Sequence, residues 1–570
     1  MTMFLKKDKR PNGRIHLSIV EGYRDPLTGR PKQRNVQTLG YLDELEKKFN
    51  NPILHFSEIA KKMTEEEKQN THPLTFSFRL NEIIDSSTTL RKNLGFVVLS
   101  YFYHKLGIDG FLINRQRNLN IEFSLNNIFQ LLVYSRVLNP CSKKEAFETK
   151  DDLFMDLDIG INDVYRSLDH FKRYKDDLLL HLHEMIRIHY GRDTNRVYYD
   201  VTNYYFEIKE PDDLRKKGVS KENKKNPIIQ MGLLMDNNGL PITYRLFEGN
   251  TNDCETLMPV LDNLKDDYAL GKIIVVADKG MNTGENIAYN ILKKNGYIYS
   301  QTIRGGTDEF KKYVLDQNGY IIHDDGFKIK SRVVSVKINV TNTEDKTKKV
   351  DIIQKQVVFY SPDFAKRAGH EREKAIEKAR KLMSISKNGK LPEKGAAKYI
   401  KSQSLDKKTG EIFELSEVHW IDSNRIAEEC KYDGYYAIVT SELDMPNEEI
   451  LDAYRSLWKI EESFKITKTE LKTRPVNVST PEHIEAHFLT CFIALLLIRL
   501  LQLSTDNKYS TRILVNELNK ISGTYLDKNY YMLDYYSDIV KQFESITGTD
   551  FSKRFMTLGE IKKIIANVKR

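Results

Sequence analysis

The sequence has 570 residues, of which 40% are hydrophobic and 30% are charged. This length predicts about three or four domains, and this composition excludes wholesale disorder, collagen-like repeats and a small disulfide scaffold. Four cysteines without a CxxC pair argue against a zinc ribbon and favour a reducing cytoplasm. The formal charge of +9 is modest, but residues 1–40 carry nine Lys or Arg against three acidic residues. Such a patch attracts polyanions, and a solvated basic tail is the alternative interpretation.

The first 190 residues divide by pattern into two parts. Residues 1–90 form a basic N-terminal region, with short strands expected in 14–41 and helical pieces in 43–90. Residues 91–190 carry aromatic and leucine residues at helical spacing, as in 125–137 and 164–188. This spacing predicts an all-helical module, and the pattern alone assigns it no function.

Residues 191–305 alternate between apolar, β-branched runs and helical patterns. Strands are predicted at 196–202, 228–235, 240–247, 272–278 and 297–303, and helices at 255–270 and 282–294. The segment Asp236-Asn-Asn-Gly239 predicts a hairpin turn, because Asn and Gly tolerate positive φ. Three antiparallel strands followed by helix, strand, helix and strand are the element order of a ribonuclease-H-like core. The predicted fold class is therefore α/β with a mixed sheet.

Residues 306–431 interrupt this core with a β-rich insertion. A strand pair at 332–340 and 350–360 is predicted, with a charged helix at 363–383 after it. A strand at 435–440 returns the chain to the second part of the core, 432–505, which is expected to contain one long helix over 447–471. Residues 506–570 are interpreted as a polar C-terminal tail. The apolar run at 488–498 is shorter than the ~20 residues of a bilayer span and predicts a core helix, with no membrane association.

Two aspartates stand out by their placement at strand ends. Asp200 lies at the polar end of the first core strand, with Thr202 beside it on the same face at i+2. Asp278 ends the apolar fourth strand, where a charge is costly unless it is used or paired. A turn or capping role is the alternative for each of them.

Helical phasing selects a third carboxylate, Glu461. Tyr454, Glu461 and Lys468 are spaced seven apart and fall nearly on one line of a helix, at the edge of its apolar stripe. Glu462 is expected to point further round, towards solvent. A solvated charged flank is the alternative interpretation of this line.

Together, the three carboxylates suit a two-metal site. Two Asp and one Glu can hold two Mg²⁺ ions about 3.5–4 Å apart, one on the attacking and one on the leaving oxygen of a phosphoryl transfer. Hard cations fit oxygen ligands better than zinc does. In such a site Lys468 could neutralise a phosphate, and Tyr454 could donate a hydrogen bond to one.

These residues carry a resemblance to the DDE-type insertion-sequence transposases of bacteria. The chain resembles the branch whose Glu lies in a Tyr-x2-Arg-x3-Glu-x6-Lys signature, which Tyr454, Glu461 and Lys468 match. Asp200 matches the first Asp of that family in its Asp-x-Thr context, and Asp278 matches the second in Ala-Asp-Lys-Gly. The resemblance covers roughly 190–505, including a largely β insertion before the Glu.

One signature position departs from the family. The Arg position is Leu457 here, and Arg455 lies two residues earlier on a different helix face. The phosphate-binding role of that position is therefore not carried over to Leu457.

The resemblance implies a function and a set of partners. Asp200, Asp278 and Glu461 would be the catalytic metal ligands for two Mg²⁺ ions, with Mn²⁺ able to substitute, and Thr202 would support Asp200. Tyr454 and Lys468 would bind DNA phosphate. The enzyme would cut DNA at terminal inverted repeats and join the freed 3′-hydroxyl ends to target DNA, acting in the bacterial cytoplasm, associated with the nucleoid, as a homodimer or larger assembly.

Outside the range of the resemblance, the transposase hypothesis gives the first 190 residues expected roles. Residues 1–90 would contact DNA, and the helical module 91–190 would bind DNA or mediate dimerisation. Two alternatives remain open: a non-catalytic DNA-binding protein derived from a transposase, and a metal-dependent nuclease on the same fold.

Overall fold

The computed structural model describes residues 2–11, 13–24, 30–69, 81, 90–218, 225–262, 264, 268, 270–341, 347–385, 395–404 and 417–569. The chain divides into two compact units, Met1–Ser86 and Ser87–Arg570. Among the described residues, the first unit has one hydrophobic cluster and one sheet, and the second unit has three of each.

The first unit is a three-stranded antiparallel sheet with two helices. Its elements are β1 (Thr2–Lys9), β2 (Ile15–Arg24), β3 (Pro31–Tyr41), α1 (Leu42–Leu45) and α2 (Pro52–Gln69). Leu17, Leu45 and Phe56 form its small core. Thr64 of α2 accepts the backbone N–H of Met3 at 2.9 Å and so fixes the helix beside β1. The strand β1 was not anticipated from the sequence, and most of 70–90 lies outside the described residues.

The second unit begins with a short strand and a helical module. The elements are β4 (Arg91–Asn93), α3 (Phe96–Lys105), α4 (Ile108–Gln116), α5 (Leu125–Leu138), α6 (Lys143–Glu148), α7 (Ile161–Arg173) and α8 (Lys175–Tyr190). Ser124 and Ser142 start α5 and α6 by accepting a backbone N–H from the first turn of each helix. The predicted N-terminal helical module is thereby confirmed.

The core sheet follows in the predicted order. Its elements are β5 (Arg196–Tyr205), β6 (Ile228–Asp236), β7 (Pro241–Glu248), α9 (Leu257–Leu261), β8 (Ile274–Ala277), α10 (Gly284–Leu292) and β9 (Gly296–Gln301). The spatial order is β7-β6-β5-β8-β9, with β5, β6 and β7 antiparallel and β5, β8 and β9 parallel. This topology confirms the ribonuclease-H-like α/β core.

The insertion is part β and part helical, and its strand pair extends the core sheet. The elements are α11 (Asp308–Leu315), β10 (Ile321–Ile322), β11 (Lys328–Thr341), β12 (Thr347–Tyr360), α12 (Pro362–Ile385), β13 (Ile400–Ser404), β14 (Glu417–Ile421), α13 (Ser423–Cys430) and β15 (Tyr435–Thr440). Because β15 pairs with both β9 and β12, one nine-stranded sheet runs from β10 to β7. Only β13 and β14, among the described strands of the insertion, form a separate two-stranded sheet.

The remaining chain is helical with a small sheet. The elements are α14 (Asn447–Arg455), α15 (Trp458–Thr469), α16 (Pro481–Ser504), α17 (Thr511–Lys520), β16 (Ser522–Tyr525), β17 (Tyr530–Leu533), α18 (Asp538–Thr547), β18 (Phe555–Thr557) and α19 (Leu558–Asn567). Thr480 caps α16, and Pro481 occupies its first turn.

The prediction of one long helix over 447–471 is wrong. The chain tightens at Ser456 and Leu457, where backbone bonds of the i→i+3 type replace the α pattern and separate α14 from α15. Leu457 is 9% exposed and packs in the main core. Both residues are compatible with a helix, so the sequence pattern carries no sign of the break.

The interpretation of 506–570 as a polar tail is also wrong. Strands β16, β17 and β18 join β4 in a four-stranded antiparallel sheet, which ties this segment to the helical module. Leu514, Val540, Phe543 and Ile561 are fully buried in the main core. Short amphipathic helices contribute few apolar residues each, and so the segment resembles a polar tail in composition.

The helix α16 crosses the centre of the second unit. It packs on α3, α5, α7 and β7. Among the described residues it alone is a single helix long and apolar enough to span a membrane, and the bent pair α3–α4 passes the same test jointly. Because 94% of its apolar window is buried inside the fold, α16 is the core helix that the sequence predicts.

A buried ion pair closes the hairpin between β6 and β7. Gly239 adopts a φ of +79°, as the Asn-Gly turn requires, and Arg192 donates to Asp236 at 3.2 Å. Both side chains are at most 1% exposed. Asp236→Ala is therefore expected to lower the free energy of unfolding by about 3–5 kcal/mol, because the Arg192 charge is left buried and unpaired.

Urea unfolding followed by circular dichroism measures this effect. The matched control is Asp176→Ala, since that side chain is 94% exposed; its effect should stay below about 0.5 kcal/mol. A loss for Asp236→Ala no larger than that of the control would contradict the role assigned to the pair.

Candidate active site

The sheet register brings the two aspartates level with each other. In the parallel ladder of β5 and β8, Tyr198 pairs with Val276. Continuing this register by two residues places Asp200 beside Asp278, just beyond the last residue of β8. Neighbouring strands lie about 4.8 Å apart, and paired residues of parallel strands point to the same face. The two carboxylates therefore lie side by side on the same face of the sheet.

Asp278 is exposed and is oriented by two hydroxyl groups. Its Oδ1 accepts a hydrogen bond from Ser300 Oγ at 2.8 Å and one from the Tyr454 hydroxyl at 3.2 Å. Ser300 lies on β9, and the β8–β9 register, continued by one residue, places it beside Asp278. Ser300 is a site residue that the sequence analysis missed, and the parallel register is the signal that identifies it.

Asp200 lies within β5 and not at its end as predicted. The strand continues to Tyr205 because β6 pairs with it along its whole length. Oδ1 of Asp200 accepts the backbone N–H of Val201 at 2.7 Å. Thr202, on the same face two residues on, is 3% exposed.

The helix α15 covers this face of β5. Lys459 lies 5.7 Å from the ring centroid of Tyr198, and Thr467 Oγ1 lies 2.8 Å from the Tyr204 hydroxyl. The helix therefore runs along β5 in the direction of the strand. Glu461, in its first turn, lies beside the stretch of β5 that contains Asp200.

Tyr454 contacts Asp278 and also experiences the charge of Glu461. Burial raises the pKa of Tyr454, and the negative charges of Asp278 and Glu461 add to that shift. Glu461 itself is exposed. Among the described residues, no three His, Cys, Asp or Glu side chains are already gathered closely enough to hold a metal ion.

Glu462 does not point to solvent as the phasing predicts. Its Oε2 accepts a hydrogen bond from Arg499 Nη1 at 2.8 Å, and its side chain is 31% exposed. Arg499 also donates to Gly239 O at 3.3 Å. Because α16 packs against α15, Glu462 joins α15, α16 and the β6–β7 hairpin.

The remaining signature positions are distributed along α14 and α15. The break at Ser456 and Leu457 separates Tyr454 from Glu461, whereas Glu461 and Lys468 share α15. Lys468 Nζ lies 5.5 Å from the ring centroid of Tyr204, near the end of β5. Leu457 is buried at the break, which accounts for an apolar residue at the position of the signature Arg.

A cavity of about 420 Å³ opens beside Asp278 and Tyr454. Lys279 and Arg304 line it together with residues of α12, including Glu371. Lys279 directly follows Asp278 in the Ala-Asp-Lys-Gly motif, whereas Arg304 reaches the cavity from the chain beyond β9 and carries no motif in the sequence.

The Tyr454 hydroxyl provides a direct test of how Asp278 is oriented. Tyr454→Phe removes the hydrogen bond to Oδ1 and keeps the ring. A hydrogen bond to a charged group contributes about 1.5–3 kcal/mol, so the DNA cleavage that the resemblance implies should fall by about 10- to 150-fold. Single-turnover rates on end-containing DNA measure the change. Tyr536→Phe, in which the lost hydroxyl contacts Glu544, is the control and should stay within about 2-fold; an equal loss in both variants would contradict the assignment.

Comparisons with known proteins bear on the family of the chain. Residues 206–497, more than half of the chain, match the family described as transposase DDE domain, and residues 5–73 match the IS1634 family transposase, N-terminal domain. Asp200 lies just before the first match. No curated protein sequence matches the chain. A cryo-EM structure of a piggyBac transposase synaptic complex with hairpin DNA aligns with 83% of this chain and 85% of its own, at 8% identity and a TM-score of 0.35.

The match to residues 5–73 extends the family assignment beyond the predicted 190–505. Transposase DDE domains depend on a metal, typically Mg²⁺, and act on DNA. The chain therefore belongs to the DDE transposases of insertion sequences.

Proposed function

We propose that this chain cuts DNA at the terminal inverted repeats of its own insertion sequence and joins the 3′-hydroxyl ends to target DNA. The observation that carries the proposal is the alignment of Asp200 with Asp278 on parallel strands, beneath the helix that holds Glu461. In a transposase DDE domain, three carboxylates on these elements are the expected catalytic set.

The donor chemistry of this site fits Mg²⁺. Asp200, Asp278 and Glu461 offer carboxylate oxygens, which hard cations prefer, and Asp278 and Glu461 are exposed. These residues would hold two ions, with Mn²⁺ able to substitute. When bound, such ions supply charge neutralisation for the attacking and leaving oxygens of phosphoryl transfer.

The chain's own side chains would then position the carboxylates and the DNA. The hydroxyls of Ser300 and Tyr454 orient Asp278, so the Tyr454 hydroxyl acts on the carboxylate and only secondarily on a phosphate. Thr202, buried next to Asp200 on β5, restricts the space around that side chain. Lys468, two turns beyond Glu461 on α15, would neutralise a DNA phosphate.

The first unit would provide a further DNA contact. Lys7, Lys9, Arg10, Lys32 and Arg34 are exposed on or beside β1 and β3. Basic side chains of this kind bind phosphates without reading sequence. The helical module 91–190 would bind DNA or mediate assembly into a dimer or larger complex. We place the protein in the bacterial cytoplasm, on the nucleoid.

The test is a reaction on a plasmid that carries the flanking DNA of the gene, with Mg²⁺ and a second DNA as target. Metal-dependent cuts at the flanks followed by joining would support the transposase. Cutting without joining would favour the metal-dependent nuclease, and binding without cutting would favour a non-catalytic DNA-binding protein. Either of the last two results would overturn the proposal.

A further inference from the structure

A cavity of about 210 Å³ lies where α6 and α16 meet the chain that follows α15. Four basic side chains line it, those of Arg136, Lys143, Lys472 and Arg474, and Glu145 is the one carboxylate among its lining residues. Arg136 is 7% and Lys143 is 5% exposed. Buried cations are normally paired, so this excess of positive charge indicates a site for an anion.

Lys143 is held in the cavity by a histidine instead of a carboxylate. Its Nζ lies 2.6 Å from His487 Nδ1, and His487 Nε2 lies 3.0 Å from the carbonyl oxygen of Thr473. A hydrogen on Nε2 donates to Thr473 and leaves Nδ1 to accept from Lys143. Burial and the nearby charge of Arg136 lower the pKa of Lys143 to about 7. An anion in the cavity would provide the missing counter-charge and return that pKa upward.

Arg136 shapes the opposite wall. Its Nη1 donates to the carbonyl oxygens of Leu471 at 3.3 Å and Lys472 at 3.4 Å, and its Nη2 donates to that of Cys141 at 2.8 Å. Its Nε is buried and has no hydrogen-bond partner among the described residues. Arg136 thus lines the cavity with a buried N–H that still lacks an acceptor.

Lys472 occupies a backbone position that ordinarily favours glycine. It is exposed, with a φ of +40°, directly after the C-terminal end of α15. Non-glycine residues in this region are uncommon, and such strain is concentrated at functional sites. A lysine here places a cation at the entrance of a cavity that is already basic.

We propose that this cavity binds a phosphate group, and that the group is a backbone phosphate of the bound DNA. The identity of the ligand rests on the proposed function; the cavity and its charges do not. If the chain from Glu461 to Lys472 were helical, it would span roughly 15 Å. This distance corresponds to roughly four to five base-pair steps of duplex DNA. A strand held at the carboxylates can therefore reach the cavity with a phosphate four to five nucleotides away.

The substitution Lys472→Gly tests the proposal without straining the fold. Glycine adopts positive φ freely, so the variant loses the cation while the backbone is relieved. The matched control is Lys294→Gly, since Lys294 is also exposed, with a φ of +57°, but lies at the start of β9, away from the cavity. Each variant removes the charge of one lysine whose backbone has a positive φ.

The readout is the affinity of the full chain for end-containing duplex DNA across a salt series. Lys472→Gly is expected to weaken binding about 5- to 30-fold and to reduce the salt slope by about 1, whereas Lys294→Gly stays within about 2-fold. Equal effects in the two variants, or none in Lys472→Gly, would overturn the proposal.

A second experiment measures the thermal unfolding midpoint of the full chain with and without inorganic phosphate. A phosphate-dependent rise in the midpoint that is lost in Lys472→Gly, together with the DNA result, supports the proposal. The same rise with unchanged DNA affinity overturns the DNA assignment and leaves a free-phosphate site. If wild type binds no DNA, the proposed function fails, and this experiment alone decides whether the cavity takes a phosphate: stabilisation supports the site, and its absence overturns it.

Discussion

On the proposed two-metal mechanism, replacing Asp278 with Asn is expected to lower Mg²⁺-dependent cleavage of the flanking DNA by at least about 10³-fold, because a proposed metal ligand that contributes several kcal/mol of transition-state stabilisation is lost. Asn keeps the size of the side chain and can still accept from Ser300 and Tyr454, so the fold and the affinity for DNA should be retained. Asp200→Asn is expected to act in the same way, since the two side chains lie level on neighbouring strands.

The measurement is strand cleavage and joining on end-containing DNA, with binding followed separately. Asp308→Asn is the control, because Asp308 is 92% exposed and pairs only loosely with Lys311, at 3.5 Å. Cleavage by Asp278→Asn at the level of that control would remove Asp278 from the site. A parallel loss of DNA binding would instead indicate a structural role.

Much of the fold was readable from the sequence because its core strands are strongly patterned. Apolar runs predict the strands β6, β8 and β15, and the Asn-Gly pair between β6 and β7 predicts the hairpin turn. Element order alone then gave the ribonuclease-H-like arrangement, in which parallel β5 and β8 must be neighbours. The alignment of Asp200 with Asp278 follows from that topology, and so the sequence predicts the meeting of two carboxylates.

What escaped prediction depends on packing between distant segments. Ser456 and Leu457 suit a helix, and neither residue signals the break between α14 and α15. Ser300 enters the site through the register of β9, and Lys143 meets His487 through the packing of α6 on α16. None of these contacts leaves a periodic signal along the chain.

The adjacent residues Glu461 and Glu462 on α15 are the clearest example of contacts that the sequence pattern does not predict. Phasing assigned Glu461 to the edge of the buried face and Glu462 to solvent, whereas Glu461 is the exposed one and Glu462 binds Arg499. The apolar stripe with Ile460 and Phe464 is buried as the phasing requires, but α16 packs on another side of α15, where Arg499 pairs with Glu462. The signature spacing still identifies Glu461 as the proposed catalytic residue. Glu462 has a structural role instead, because it binds Arg499.

The two glutamates should therefore respond oppositely to the same substitution. Glu461→Gln is expected to reduce cleavage by at least about 10³-fold while the free energy of unfolding stays within about 0.5 kcal/mol, because the side chain is exposed. Glu462→Gln is expected to lower the free energy of unfolding by about 1–3 kcal/mol, because Arg499 loses its charged partner, and to leave cleavage within about 10-fold.

Each variant is the control for the other, since both change one Glu to Gln at neighbouring positions of one helix. Urea unfolding and single-turnover cleavage, measured on the same preparations, separate the two effects. Loss of cleavage in Glu462→Gln with Glu461→Gln active would transfer the catalytic role to Glu462. Arg499 argues against that outcome, because it holds the Glu462 carboxylate against α16 and the β6–β7 hairpin, where Arg499 also donates to Gly239 O at 3.3 Å.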